Sequence, residues 1–332
     1  MKRLLLCGIF LFPLGLVAQD AVPAKGGDYV RFVEGEDGVD RLQTAGARFR
    51  RGGTTVDLVS VVHLADAAYF EELDEILAGY DAVLYEMVGG KFAPGSEEND
   101  SPEEMLGVRS LQRMASSFLG LEFQLEGIDY SSPNFVHADI DWDEYGQLMA
   151  ARNQSFATLF SRALNLAREG NVEGLPTSEA AMSGLLGRLV TAVRSGDGTE
   201  LKRSMAPLLG ESEGFIAQIE GEDGTVIVGE RNRVVLEKLE EEMRRRGPGR
   251  FAIFYGAGHM PDLETRLLGE GFAKERVVWF DAWTMEESVV ETDGAGDAPA
   301  ETTADLLLQI IAQNPEVMKV IRQLGSAMEG LQ

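Results

Sequence analysis

The chain contains three histidines and one cysteine. Each histidine stands at the end of a short apolar run: Val61-Val62-His63-Leu64-Ala65-Asp66, Phe135-Val136-His137-Ala138-Asp139 and Gly256-Ala257-Gly258-His259-Met260-Pro261-Asp262. In the first and last phrase an Asp follows three residues later and an amphipathic helical pattern begins. Two imidazoles delivered from two strand ends to one sheet edge could bind a metal ion or act as a base. The bland alternative is a pair of satisfied structural histidines.

Glu86 is the only charge within Ala82-Val83-Leu84-Tyr85-Glu86-Met87-Val88. A buried carboxylate there needs a metal ion, an Arg or a proton, whereas on an edge strand it would face water. Arg231, in Gly229-Glu230-Arg231-Asn232-Arg233, aligns at helical spacing with Val228, Val235, Leu239 and Met243. An Arg on an apolar stripe either snorkels from its border or takes an anionic partner, for which Glu86 or a substrate carboxylate are the candidates. Asp66 and Asp262 are first read as helix caps, with a hydrogen bond to the neighbouring imidazole as the alternative. Gly256 and Gly258 permit a tight turn before His259, and no HExxH or GxSxG pattern occurs.

The elements that must position these residues follow from periodicity. Short β-rich runs at Tyr29–Glu34, Arg41–Arg50 and Val56–Val62, separated by Gly-bearing turns, predict an antiparallel meander. The period then changes, with Tyr69, Phe70, Leu73, Ile76 and Leu77 at helical spacing before the run at 82–88, which predicts a β-α-β unit. A second unit follows from a strand at Phe251–Tyr255, a helix at Met260–Leu268 and a strand at Arg276–Asp281. The stretch 89–104 is polar and Gly/Pro-bearing. Helical runs at 105–119, 143–169, 178–195 and 198–209 predict a helical insertion over about 105–215, with a further helix near 223–246. The expected fold is therefore mixed α/β, with a central mixed sheet, an N-terminal antiparallel meander, two β-His-α units and a long helical insertion.

The termini carry their own signals. Lys2-Arg3, the apolar run Leu4–Val17 and Val17-Ala18-Gln19 make residues 1–19 a secretory signal peptide. An uncleaved anchor is the alternative. Cys7 would leave with that leader, excluding disulfides, Cys-ligated zinc and a Cys nucleophile from the mature chain. The expected body is an α/β domain over 28–285, followed by an acidic linker at 286–304 and an amphipathic helical tail at 305–332. The formal charge of −25 disfavours nucleic acid and anionic lipid as partners. The expected location is periplasmic or secreted, with membrane contact only through the leader.

The motifs together resemble the TraB/PrgY/GumN family, whose animal relatives are the Tiki proteases. Gly256-Ala257-Gly258-His259 is similar to its Gly-x-x-His motif. Ser60-Val61-Val62-His63 fits the same position with Ser in place of Gly. Tyr85-Glu86-Met87 is similar to its acidic strand, Gly229-Glu230-Arg231-Asn232 to its Gly-Glu-Arg-Asn/Asp segment, and Gln124–Tyr130 with Asn134–Asp139 to a middle block of bacterial members. In the Tiki branch the resemblance implies divalent-metal-dependent proteolysis. The expectation is then an exported metal-dependent hydrolase acting on a peptide or protein. His63, His259 and Glu86 would bind zinc, manganese or cobalt, with His137 as an auxiliary ligand. Glu86 would otherwise serve as general base, and Arg231 would orient it or stabilise an oxyanion. The alternatives are an envelope protein that sequesters a peptide or haem without catalysis, and an interaction module that finds a partner through its C-terminal tail.

Overall fold

A computed structural model describes residues 24–89, 119–154, 158–159, 162, 165–166, 188, 197–221 and 224–286. The leader, the polar stretch beyond 89, the run at 105–118, nearly all of that at 178–195, and the linker and tail beyond 286 lie outside the described residues.

The Gly-punctuated N-terminal runs form four successive antiparallel strands: β1 (Ala24–Gly26), β2 (Val30–Val33), β3 (Val39–Arg51) and β4 (Thr54–Val61). Gly52 adopts φ 60° in the two-residue β3–β4 turn, a left-handed conformation that glycine enters without a steric cost. Strand β3 is long enough to pair β2 and β4 one after the other on one edge. Its other edge carries β10 (Ala273–Glu286).

Beyond β4 the sheet changes character. Strands β4, β9 (Arg250–Gly256), β6 (Ala82–Tyr85) and β8 (Phe135–His137) lie side by side in that order, all parallel. Short strands β5 (Leu64–Ala65) and β7 (Glu122–Phe123) pair separately. Helix α1 (Ala67–Leu77) leads from β4 to β6, and α7 (Met260–Gly269) leads from β9 to β10. Both expected β-α-β units form, and each connection passes over intervening strands. β9 lies between β4 and β6, while β4 and β3 lie between β9 and β10. The region 105–215, expected to lack strands, contributes β8 to the main sheet and β7 to the small one. Their three and two residues are too short for a periodic signal.

The remaining described helices are α2 (Gln124–Gly127), α3 (Trp142–Ala151), α4 (Thr199–Gly210), α5 (Ser212–Glu220) and α6 (Arg231–Arg246). Side chains on the parallel strands alternate between two apolar layers. Val59, Val61, Val83, Tyr85 and Phe254 pack with Tyr69, Phe70, Leu73 and Leu77 of α1. Leu58, Leu84, Ile253 and Tyr255 pack with Val235 and Leu239 of α6 and Leu263 and Leu267 of α7. A strand covered on both faces reads as a continuous apolar run. Burying a side chain such as Leu239 contributes about 1.5–3 kcal/mol.

Asp66 holds the N-cap position of α1 but makes no capping bond with its side chain. Its carboxylate accepts from Lys202 Nζ at 2.8 Å and from the Thr284 backbone N and Oγ1 at 2.7 and 2.8 Å. Donors from distant segments, one of them charged, displace the local cap that sequence alone suggested.

Candidate active site

The four parallel strands end in the row β4, β9, β6, β8, and each is followed by a residue able to do chemistry: His63 after β4, Gly256 to His259 at and beyond the end of β9, Glu86 after β6 and Asp139 after β8. This is the carboxyl edge of a parallel sheet, where ligand sites form in open α/β folds. Residues distant in sequence become neighbours because strand order places their ends side by side.

Arg231 joins them from the other layer. A π-helical turn, Val226–Glu230, precedes it, with Thr225 Oγ1 accepting from the Ile227 and Val228 amides. Helix α6 then starts at Arg231, and its buried stripe of Arg231, Val235 and Leu239 faces the sheet as the helical spacing predicts. The guanidinium donates from Nη2 to Glu86 Oε1 at 2.6 Å. It also clamps Asp139 in two bonds, Nε to Oδ1 at 2.9 Å and Nη2 to Oδ2 at 2.6 Å. Arg231 is 6% exposed and Asp139 8%. One buried cation therefore bridges two carboxylates, and the trio carries one surplus negative charge.

Glu86 Oε2 accepts from the Gly256 backbone N at 2.7 Å. The approach is close at Gly256: a Cβ there would stand 3.3 Å from Glu86 Oε2, tight enough that the carboxylate would have to give by a few tenths of an ångström. His259 lies on the same side, with Nε2 3.6 Å from Glu86 Oε1 and 3.4 Å from Arg231 Nη1. Its Nδ1 faces Asn232 Oδ1 at 2.7 Å, and its ring edge meets Tyr255 at a centroid distance of 5.1 Å.

Burial sets the protonation states. It pushes the His259 imidazole down to about 4, against the pull of Glu86, so His259 is neutral at pH 7. Burial would raise the Glu86 carboxyl, but Arg231, then His259 and His63, overcome it and hold Glu86 well below the carboxylate range. Burial lowers Arg231 in turn, and Glu86 and Asp139 more than restore it, holding it well above its ordinary value.

His63 stands exposed just beyond β4, near enough to act electrostatically on both Glu86 and His259. Its Nδ1 meets Gln124 Oε1 at 2.8 Å, and Gln124 Nε2 donates to the Tyr130 hydroxyl at 2.7 Å. His137 sits on β8 with Nε2 2.7 Å from the Met87 carbonyl, so Nε2 is the donor and only Nδ1 is left for any ligand role. Asp262 neither caps α7 nor touches the imidazole directly. It accepts from Asn232 Nδ2 and Arg266 Nε, each at 2.7 Å.

Sequence reasoning passed over Asp139, Asn232, Gln124 and Tyr130. The signal for Asp139 was present: Phe135-Val136-His137-Ala138-Asp139 ends an apolar run with an acid, as the run before Glu86 does. Asn232 stood in the sequence only as the last residue of the Gly229-Glu230-Arg231-Asn232 segment, and its contact with His259 is set by the packing of α6 against the His259 turn.

A pocket of about 450 Å³ opens beside that turn, lined among others by Gly258, Pro261, Asp262, Arg266, Arg152 and Glu230. For a divalent ion, His259 Nε2 and Glu86 Oε1 offer two donors near the separation expected on one ion with bonds of about 2 Å. The surplus negative charge of the trio favours a cation as well. Among the described residues no group of three His, Cys, Asp or Glu side chains is placed to hold a metal ion, and Arg231 lies against both of these donors. Among the same residues no helix is long and apolar enough to cross a membrane. Comparison of the chain with family models, with curated proteins and with solved structures returns no match.

Proposed function

We propose that the chain is an exported metal-dependent hydrolase that cleaves peptide bonds, as the resemblance to the TraB/PrgY/GumN family implies. The observation that carries this reading is the meeting of His259 Nε2 and Glu86 Oε1, 3.6 Å apart, beside a buried arginine at the carboxyl edge of the sheet. His259 and Glu86 would hold the ion, His63 would approach from the exposed side, and His137 could add only its Nδ1. Zinc, manganese or cobalt would lower the pKa of a bound water and polarise the scissile carbonyl.

The chain's own groups divide the remaining work. Arg231 keeps Glu86 ionised and fixes one oxygen, while the Gly256 amide fixes the other. A carboxylate held this far below its usual range is a poor proton acceptor, which favours Glu86 as ligand over Glu86 as general base. Neutral His259 presents a lone pair at pH 7. The basic and apolar leader supports export.

The test uses protein stripped with chelator and reloaded with zinc, manganese or cobalt, followed by metal analysis and cleavage of a peptide library. Stoichiometric occupancy that restores cleavage, both lost in Glu86→Gln and His259→Ala, is the expected result. Undiminished occupancy in His63→Ala and His259→Ala, or cleavage that persists without metal, overturns the reading.

A further inference from the structure

Asn232 is fully buried and lies in the first turn of α6, next to Arg231. Its amide orientation is settled by its own partners. Nδ2 donates to the His259 carbonyl at 3.0 Å and to Asp262 Oδ2 at 2.7 Å. Turning the amide over would set its oxygen against two acceptors, one of them a carboxylate. Oδ1 must therefore face His259 Nδ1, which stands 2.7 Å away. An amide oxygen only accepts, so Nδ1 must carry the proton. A neutral imidazole has one N–H, which leaves Nε2 with its lone pair.

From this chain of contacts we infer that Asn232 is a positioning residue, oriented by Asp262, that locks His259 in the Nδ1–H tautomer and aims the Nε2 lone pair at Glu86 and Arg231. Its use in holding an ion rests on the function proposed above, whereas the tautomer itself does not. The lock is needed because the other neighbours do not agree among themselves. Glu86 Oε1, 3.6 Å from Nε2, is an acceptor and would draw the proton there. Arg231 Nη1, 3.4 Å from Nε2, is a donor and opposes it. The Asn232 bond is the short one and decides the outcome. Asp262 is held in turn by Arg266 at 2.7 Å, so the relay runs Arg266, Asp262, Asn232, His259. Partners of this kind fix ring orientation and the basicity of the ligating nitrogen.

With three histidines in the chain, the experiment is direct. Protein labelled with ¹⁵N-histidine is recorded metal-free at pH 8 in long-range ¹H–¹⁵N spectra, with His63→Gln and His137→Gln used to assign the three rings. The expected wild-type result is a protonated Nδ1 and a pyridine-type Nε2 on His259. In Asn232→Ala, with native circular dichroism, the pyridine-type signal shifts toward Nδ1 as Glu86 captures the proton. An Nε2–H tautomer in the wild type, or an unchanged pattern in folded Asn232→Ala, overturns the inference. Should Asn232→Ala not fold, the wild type carries the test, and Nε2–H there overturns it. Titration with zinc alone then reads the consequence as an affinity about 10–100-fold weaker in Asn232→Ala. A wild type that binds no zinc would sink the proposed function and leave the tautomer result standing.

Discussion

The two β-His-α units start from the same local plan and end in different environments. His259 is buried, its Nδ1 tied to Asn232 and its turn packed under α5 and α6. His63 is exposed, its Nδ1 tied to Gln124. In both units an amide oxygen faces Nδ1, and at His259 Nε2 is left to face Arg231 and Glu86. The Asp that follows each histidine goes to different work: Asp262 orients the amide beside its imidazole, while Asp66 fastens its unit to Lys202 and β10. The difference teaches that one unit supplies a fixed, desolvated imidazole and the other an accessible one. A site that must hold a group and still admit a substrate has use for both.

The largest expected effect concerns the buried side. Arg231→Met leaves Glu86 and Asp139 buried without their cation, and urea unfolding should show a loss of about 3–5 kcal/mol. A loss under 1 kcal/mol would mean that the two carboxylates reach water and that the contrast between the units is overstated.

Next comes pH. The folded value of His259, about 4, lies below its ordinary 6.5, so the unfolded chain binds the proton more readily. The resulting stability is present above pH 6.5 and is lost as pH falls through 6.5 toward 4. It amounts to about 3 kcal/mol for a shift of this size. Glu86, also depressed on folding, adds its own loss only below the usual carboxylate range. Stability measured between pH 7 and 5 should therefore fall in the wild type and stay nearly flat in His259→Gln. An equal slope in both would remove His259 as its source.

Asp66→Ala tests the anchoring of the first unit. It removes the acceptor for Lys202 and Thr284, and thermal or urea unfolding should register about 1–2 kcal/mol. Zinc affinity should not change, because the side-chain partners of Asp66 are Lys202 and Thr284 and not His259, Glu86 or His63. A matching loss of zinc affinity would show that the anchoring places His63.

The smallest effect on stability is expected at His63 itself. His63→Ala, at an exposed position, should shift unfolding by no more than about 0.5 kcal/mol, yet it should weaken metal binding. A large loss of stability would mean that this imidazole is structural and that the two units are not functional counterparts.

Much of this arrangement could be read in the chain. Period-2 and helical patterns placed the meander, both β-α-β units and the inward-facing Arg231, because each records which side chains must leave water. Glu86 stood out as a lone charge inside an apolar run, and it is indeed paired with Arg231. Strands β7 and β8 were not legible, since two or three residues carry no period. Asp139 was hidden by the histidine two residues before it.

By itself the sequence determined the meander, both β-α-β units and which ionisable residues sit at the ends of their strands, since those follow from local burial and turn chemistry. Only the tertiary structure decided that β9 inserts between β4 and β6 and that β8 adds beyond them. That order brings Gly256 and His259 to Glu86, and Asp139 to Arg231. It also decided which way the Asn232 amide points, and with it which nitrogen of His259 keeps a lone pair. Strand order and amide orientation arise from contacts between residues far apart in the chain, and no local pattern carries that information.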